Sequence, residues 1–183
     1  MIFEFTTLAG LVIIHPERLQ DHRGFFARTF CEREFLNHGL ATRFPQCNIS
    51  FNAKRGTLRG IHYQREPEPE IKIVRCTRGG IYDVAVDLRR HSDSYLKTFS
   101  IELTKDNCLS LYIPAGFAHG FQTLVDNSEV FYQMGEFYNP NLAAGVRWSD
   151  PTFDISWPIP EPVISDRDRS FPDFESQKEW LFS

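Results

Sequence analysis

No stretch of this chain approaches the roughly 18 consecutive apolar residues that a membrane-spanning helix needs, so no membrane association is expected. The start, Met1-Ile-Phe-Glu-Phe-Thr-Thr, lacks the basic residues and apolar run of a secretory leader, and a soluble, cytoplasmic protein is expected. A basic excess is missing too: the net charge is −4 at pH 7 and the pI is near 5.9. Nucleic acid is therefore not an expected partner, and any anionic ligand has to be met by local cations. The four cysteines, Cys31, Cys47, Cys76 and Cys108, form no Cys-x-x-Cys pair, which leaves out zinc ribbons and dithiol motifs. Reduced, buried thiols are the expected state. Internal repeats and low-complexity tracts are absent.

What the chain does have is strand patterning. In Ile81-Tyr-Asp-Val-Ala-Val-Asp-Leu-Arg89, the residues Tyr82, Val84, Val86 and Leu88 share one face while Asp83 and Asp87 share the other. The same period of two recurs at Phe99, Ile101 and Leu103, at Leu109, Leu111 and Ile113, and from Glu129 to Tyr138. Turn residues at Gly79-Gly80, Asp106-Asn107, Pro114-Ala-Gly116 and Asp126-Asn127 separate these runs. Many short strands at close spacing are the signature of a sandwich or barrel. The 183 residues fit one domain with a sizeable core. Short helices are expected at Cys31 to His38, stopped by Gly39, and at Asp173 to Phe182. Between Trp148 and Pro162 the chain is rich in proline and tryptophan, which predicts an irregular segment wrapped on the barrel and pinned by Trp148 and Trp157.

The segment Gly56-Thr-Leu-Arg-Gly-Ile-His62-Tyr-Gln places an arginine and a histidine on one strand, with Lys72 ten residues beyond His62. An imidazole can take a proton near pH 7, and an ammonium can hold the negative charge left on a substrate. Metal-binding jelly rolls of the cupin type need a pair of histidines one residue apart, then an acid, then a later histidine. Here Tyr63 and Gln64 follow His62, so the second ligand is missing, although Ile113-Pro-Ala-Gly-Phe-Ala-His119 resembles the later half. No metal site is expected, and His62 is left free to act as a base.

Over nearly its whole length the chain resembles the dTDP-4-dehydrorhamnose 3,5-epimerase family. The matching stretches are Asp21 to Phe26, Gln46 to Ser50, Gly56 to Gln64, Lys72, Gly80 to Arg89, Ile113 to Phe121, Trp148-Ser-Asp-Pro151 and Ser165-Asp-Arg-Asp168. The resemblance implies a mainly β fold, a double-stranded β-helix (cupin-like jelly roll) with short peripheral helices. It would be one domain over residues 1–183, with 147–183 as an irregular segment packing back over the barrel. It also implies a cofactor-free homodimer that inverts one or two carbons beside the ketone of a nucleotide-linked 4-keto-6-deoxyhexose. His62 would be the base, Asp168 would sit behind it, Tyr132 would be the acid and Lys72 would stabilise the enolate. Arg23, Phe26, Arg28, Gln46, Asn48, Arg59, His119, Tyr138 and Arg167 would bind the nucleotide sugar.

Strict alternation puts Arg59 and His62 on opposite faces of their strand. Gly60 between them predicts a bulge that brings both to one site. Three positions depart from the family pattern. Arg28 and Ala143 stand where the family has glutamates, and Arg167 where it has a lysine. Losing two carboxylates changes how base or ribose is recognised, so the nucleotide is left open. Inversion at a single carbon of another nucleotide sugar, and a non-catalytic nucleotide-sugar-binding protein, are the alternatives.

Overall fold

The computed structural model describes residues 1–174. In chain order the strands are β1 (Ile2–Phe5), β2 (Val12–His15), β3 (Arg18–Asp21), β4 (Gly24–Ala27), β5 (Gln46–Asn52), β6 (Thr57–Gln64), β7 (Lys72–Arg78), β8 (Gly80–Asp87), β9 (Thr98–Thr104), β10 (Ser110–Ile113), β11 (Phe117–Thr123), β12 (Ser128–Met134), β13 (Ala143–Gly145) and β14 (Val163–Ile164). Two short helices, α1 (Glu32–Asn37) and α2 (Asp166–Arg169), lie outside the sheets. One sheet has the order β1-β2-β10-β7-β12-β5 and the other β13-β6-β11-β8-β9. The pairings along both orders are antiparallel, and β14 joins β6 in parallel. Apart from β1–β2 and β8–β9, neighbouring strands of the two large sheets come from distant parts of the chain, as in a jelly roll.

The two sheets share one interior. Leu111, Val74 and Val130 of the first sheet meet Ile81, Leu103 and Phe121 of the second. Strand alternation explains what else faces that space. On β7, Lys72, Val74 and Cys76 lie on one side, and only the last two join the core. On β12, Val130 is core while Tyr132 and Met134, two and four residues on, line a cavity. On these two strands the inward face therefore runs from apolar to polar, with the core towards one end and a cavity at the other.

Two further clusters cover the outsides. Tyr82, Val84, Val86 and Leu88 pack with Phe153, Trp157 and Phe174 of the C-terminal segment, so β8 is buried on both faces. The Trp157 indole N–H donates to the Trp148 carbonyl at 2.8 Å, tying that segment to itself. On the first sheet, Val12, Ile14, Ile73 and Tyr112 receive Phe35 of α1. Complete burial of a side chain such as Phe35 or Phe174 contributes on the order of 1.5–3 kcal/mol. Helix α1 matches the expected one, and it ends before Gly39, whose φ of +71° is left-handed.

Two expectations need correction. The strand read from Glu129 to Tyr138 ends at Met134, because Gly135 packs on Ile71 and its N–H donates to the Ile71 carbonyl at 2.7 Å. All four cysteines are free, but of them only Cys76 is buried, and burial pushes its thiol up to about 11. Cys47 is exposed because it alternates on β5 with Asn48, which takes the cavity side. The helix read over Asp173 to Phe182 lies outside the described residues beyond its first two. Among the described residues, no helix is long and apolar enough to cross a membrane.

Candidate active site

A cavity of about 330 Å³ opens at the polar end of the barrel. The second sheet supplies Arg59 and His62 from β6 and His119 from β11, and the first supplies Asn48 from β5, Lys72 from β7 and Tyr132 from β12. Arg59 and His62 reach the same space because β6 is irregular at Gly60. Its φ is +146°, and the β6–β11 register shifts between His119 and Phe121. A Cβ on Gly60 would stand 2.6 Å from the Gly120 Cα, so the two backbones touch there and only glycine fits. The expected irregularity is present.

His62 is half-exposed, with Nε2 2.9 Å from Oδ1 of the buried Asp168. The carboxylate is also met by the Gly60 N–H at 3.3 Å. It is placed by α2, where the Ser165 hydroxyl accepts from the Asp168 N–H at the helix N-terminus. Burial alone would raise the Asp168 carboxyl, but the hydrogen bond and charge of His62, the Gly60 N–H and Arg167 outweigh it, so it lies below the usual carboxylate range. Parallel pairing of β14 with β6 brings α2 to this point, 106 residues along the chain from His62. Phe171 packs edge-on to the imidazole, ring centres 5.7 Å apart.

Across the cavity, burial pushes the Tyr132 phenol far above its usual range; the Asp83 charge adds to this, and Arg59 and a hydrogen bond with Ser50 oppose it. The phenol therefore keeps its proton at neutral pH. His119 lies edge-on to Tyr132 at 6.4 Å, and its Nε2 is 2.8 Å from Oδ1 of Asp83. Arg59 is braced by a 2.8 Å hydrogen bond to Asn52. Lys72 is buried, its Nζ 2.7 Å from Glu70 and 3.5 Å from the His62 carbonyl. No group of three His, Cys, Asp or Glu side chains suited to a metal ion occurs among the described residues.

Asn48, Arg59, His62, Lys72, His119, Tyr132, Tyr138 and Arg167 all line the cavity, with Asp168 behind His62. Gln46 stands aside and accepts a hydrogen bond from the Tyr138 N–H, so it holds a cavity residue in place. Arg23, Phe26 and Arg28 are not among the lining residues. They belong to the β3–β4 hairpin and its flank, which pairs with neither large sheet. Arg23 is 78 % exposed and turned onto Asp21, and Arg28 is paired with Glu34 at 3.1 Å. Glu70, Asp83 and Ser50 were not singled out from sequence. Glu70 stands two residues from Lys72, the spacing of side chains on one strand face, and Asp83 shares the polar face of β8; both signals were legible.

Residues 5–176 match the family described as dTDP-4-dehydrorhamnose 3,5-epimerase. A dTDP-4-dehydrorhamnose 3,5-epimerase from Methanothermobacter thermautotrophicus is 45% identical over 169 residues, which is 91% of this chain and 90% of the relative. The crystal structure of the corresponding epimerase from Elizabethkingia anophelis superposes with a TM-score of 0.94 at 36% identity, covering 97% of this chain and 98% of the other. A 3,5-epimerase from Legionella pneumophila, solved in complex with dTDP-4-keto-L-rhamnose, gives a TM-score of 0.88 at 33% identity over 94% of this chain and 92% of its own.

The depressed Asp168 carboxyl links stability to pH. Its ionised form stabilises the fold above the unfolded value of about 4, and that contribution is lost as pH falls through the lower, folded value. Denaturant midpoints of the wild type and Asp168→Asn should therefore lie furthest apart near neutral pH and converge as pH falls below about 4. A gap that stays constant with pH would contradict this.

Proposed function

The chain belongs to the dTDP-4-dehydrorhamnose 3,5-epimerase family, and we propose that it converts dTDP-4-dehydro-6-deoxyglucose to dTDP-4-dehydrorhamnose, a step of dTDP-rhamnose formation, by inverting C3 and C5. The ketone at C4 acidifies the hydrogens on both neighbouring carbons, because the carbanion delocalises onto the carbonyl oxygen as an enolate. Inversion needs a base on one face of the ring, an acid on the other and a cation near the oxygen.

The observation that carries this reading is the placement of His62 and Tyr132 on opposing sheets, with the Lys72 ammonium lining the same cavity. His62 takes the proton. Asp168 holds the ring through Nε2, leaving Nδ1 for the substrate, and favours the imidazolium that forms. Tyr132, kept protonated by burial, delivers a proton to the opposite face. Lys72 donates to the enolate oxygen, and no step calls for a metal or cofactor. Arg59 and Arg167 meet the diphosphate, since guanidinium groups pair well with phosphate oxygens, while Asn48, His119 and Tyr138 complete the pocket. The chain works as one domain in which Asp168, from the C-terminal segment, clamps the base, and the expected location is the cytoplasm.

Assembly as a homodimer completes the nucleotide half. Leu19 and Phe26 of the β3–β4 hairpin are 70 % and 69 % exposed, and Ile49 and Phe51 form an apolar face on the edge strand β5. Covering these against a second copy would bring Arg23, Phe26 and Arg28 to the partner's cavity.

In an assay coupled to a downstream reductase, His62→Ala should give no product, Tyr132→Phe should lose most activity, and Lys72→Ala should lose a factor of about 10² to 10³ in kcat. Full activity in His62→Ala would overturn the assignment of the base. Mixing Arg23→Ala with His62→Ala protein should restore activity above either alone, because one cavity of the mixed dimer then has both residues intact. No gain on mixing, once subunit exchange is verified, would place Arg23 in its own subunit's site or in none.

A further inference from the structure

Glu70 precedes β7 and faces the cavity on the same side as Lys72, two residues on. Both side chains are about nine-tenths buried, at 10 % and 7 % exposure, and the carboxylate lies 2.7 Å from the ammonium. Among the described residues Glu70 is the sole carboxylate lining the cavity, where it stands among the cations Arg59, Lys72 and Arg167. Burying an ion pair takes two charges out of water and yields little net stability, so stability alone is a weak reason for this one.

The donors of Lys72 give a better reason. An ammonium has three N–H bonds on a flexible four-carbon stem. The His62 carbonyl accepts one at 3.5 Å, and the Glu70 carboxylate holds the ammonium by charge at 2.7 Å. No further protein acceptor for Nζ occurs among the described residues. Resting on the epimerase reading above, we propose that Glu70 is a positioning residue of the reaction. It tethers the Lys72 ammonium against the strand so that the remaining N–H is presented to the ketone oxygen as the enolate forms. Glu70 acts through Lys72 and transfers no proton itself.

The test uses the full-length enzyme with dTDP-4-keto-6-deoxyglucose, measuring kcat and KM, with dTDP binding by calorimetry as a check of the fold and the nucleotide half. Glu70→Ala should lower kcat roughly tenfold or more with KM changed little, since contacting residues couple on that scale. Its affinity for dTDP, which carries no ketone, should match the wild type. Glu70→Gln keeps an acceptor oxygen and should recover most of the loss. Added to Lys72→Ala, Glu70→Ala should cause no further fall. The same factor lost with and without Lys72, or an unchanged kcat in Glu70→Ala, would overturn the proposal. If Glu70→Ala does not bind dTDP, Glu70→Gln in both backgrounds makes the same comparison, with a smaller loss beside Lys72 and none without it. An active wild type with an unaltered Glu70 variant defeats this inference alone, whereas an inactive wild type defeats the epimerase reading first.

Discussion

A jelly roll has one interior, and here it holds both the apolar core and the reactive cavity. Alternation along each strand sends every second side chain into that space, so the chemistry cannot be separated from the packing. Val74 and Val130 belong to the core, and Lys72 and Tyr132, two residues away on the same faces, belong to the cavity. The packed end fixes the strands, and the strands aim most of the polar end, which Glu70, Tyr138 and α2 complete from outside them. Where strict alternation fails to bring the right residue inward, the contact of Gly60 with Gly120 corrects it and lets Arg59 and His62 share one site. That contact tolerates no side chain.

The electrostatics of the cavity follow from the same confinement. Burial keeps the Tyr132 phenol protonated, while the His62 hydrogen bond and the Gly60 N–H keep Asp168 ionised despite burial. One wall thus carries a protonated phenol and the other an ionised carboxylate at the same pH. Asp168 reaches its place because the C-terminal segment buries Phe153 and Phe174 against β8 and adds β14 to β6. Apolar packing on the outside of one sheet therefore orients His62 on its inside. Glu70, just ahead of β7, pairs with Lys72 at the first residue of that strand.

Much of this was legible from residue order. The period of two located most of the strands, the glycine between Arg59 and His62 announced the bulge, and the family resemblance named eight of the cavity residues. Other features follow from tertiary placement and left no local signal. Alternation along Ile81 to Arg89 says nothing of a second layer over Tyr82 and Val84, which comes from a segment some 70 residues later. The motif around Arg23 carries no record of where a hairpin that pairs with neither large sheet will dock. Tyr138 follows a strand that Gly135 ends early, yet it reaches the cavity because Gln46 holds its backbone. Glu70 sat within reading distance of Lys72, but in Glu66-Pro-Glu-Pro-Glu70 it resembles one more solvated charge.

The central claim is that this cavity moves protons on and off the two carbons beside a sugar ketone. Proton NMR of dTDP-4-keto-6-deoxyglucose in D₂O with the wild-type protein, following the C3 and C5 signals separately, tests it most directly. Deuterium should enter both positions. Exchange at one carbon alone would contradict inversion at two, and exchange at neither would contradict the claim itself.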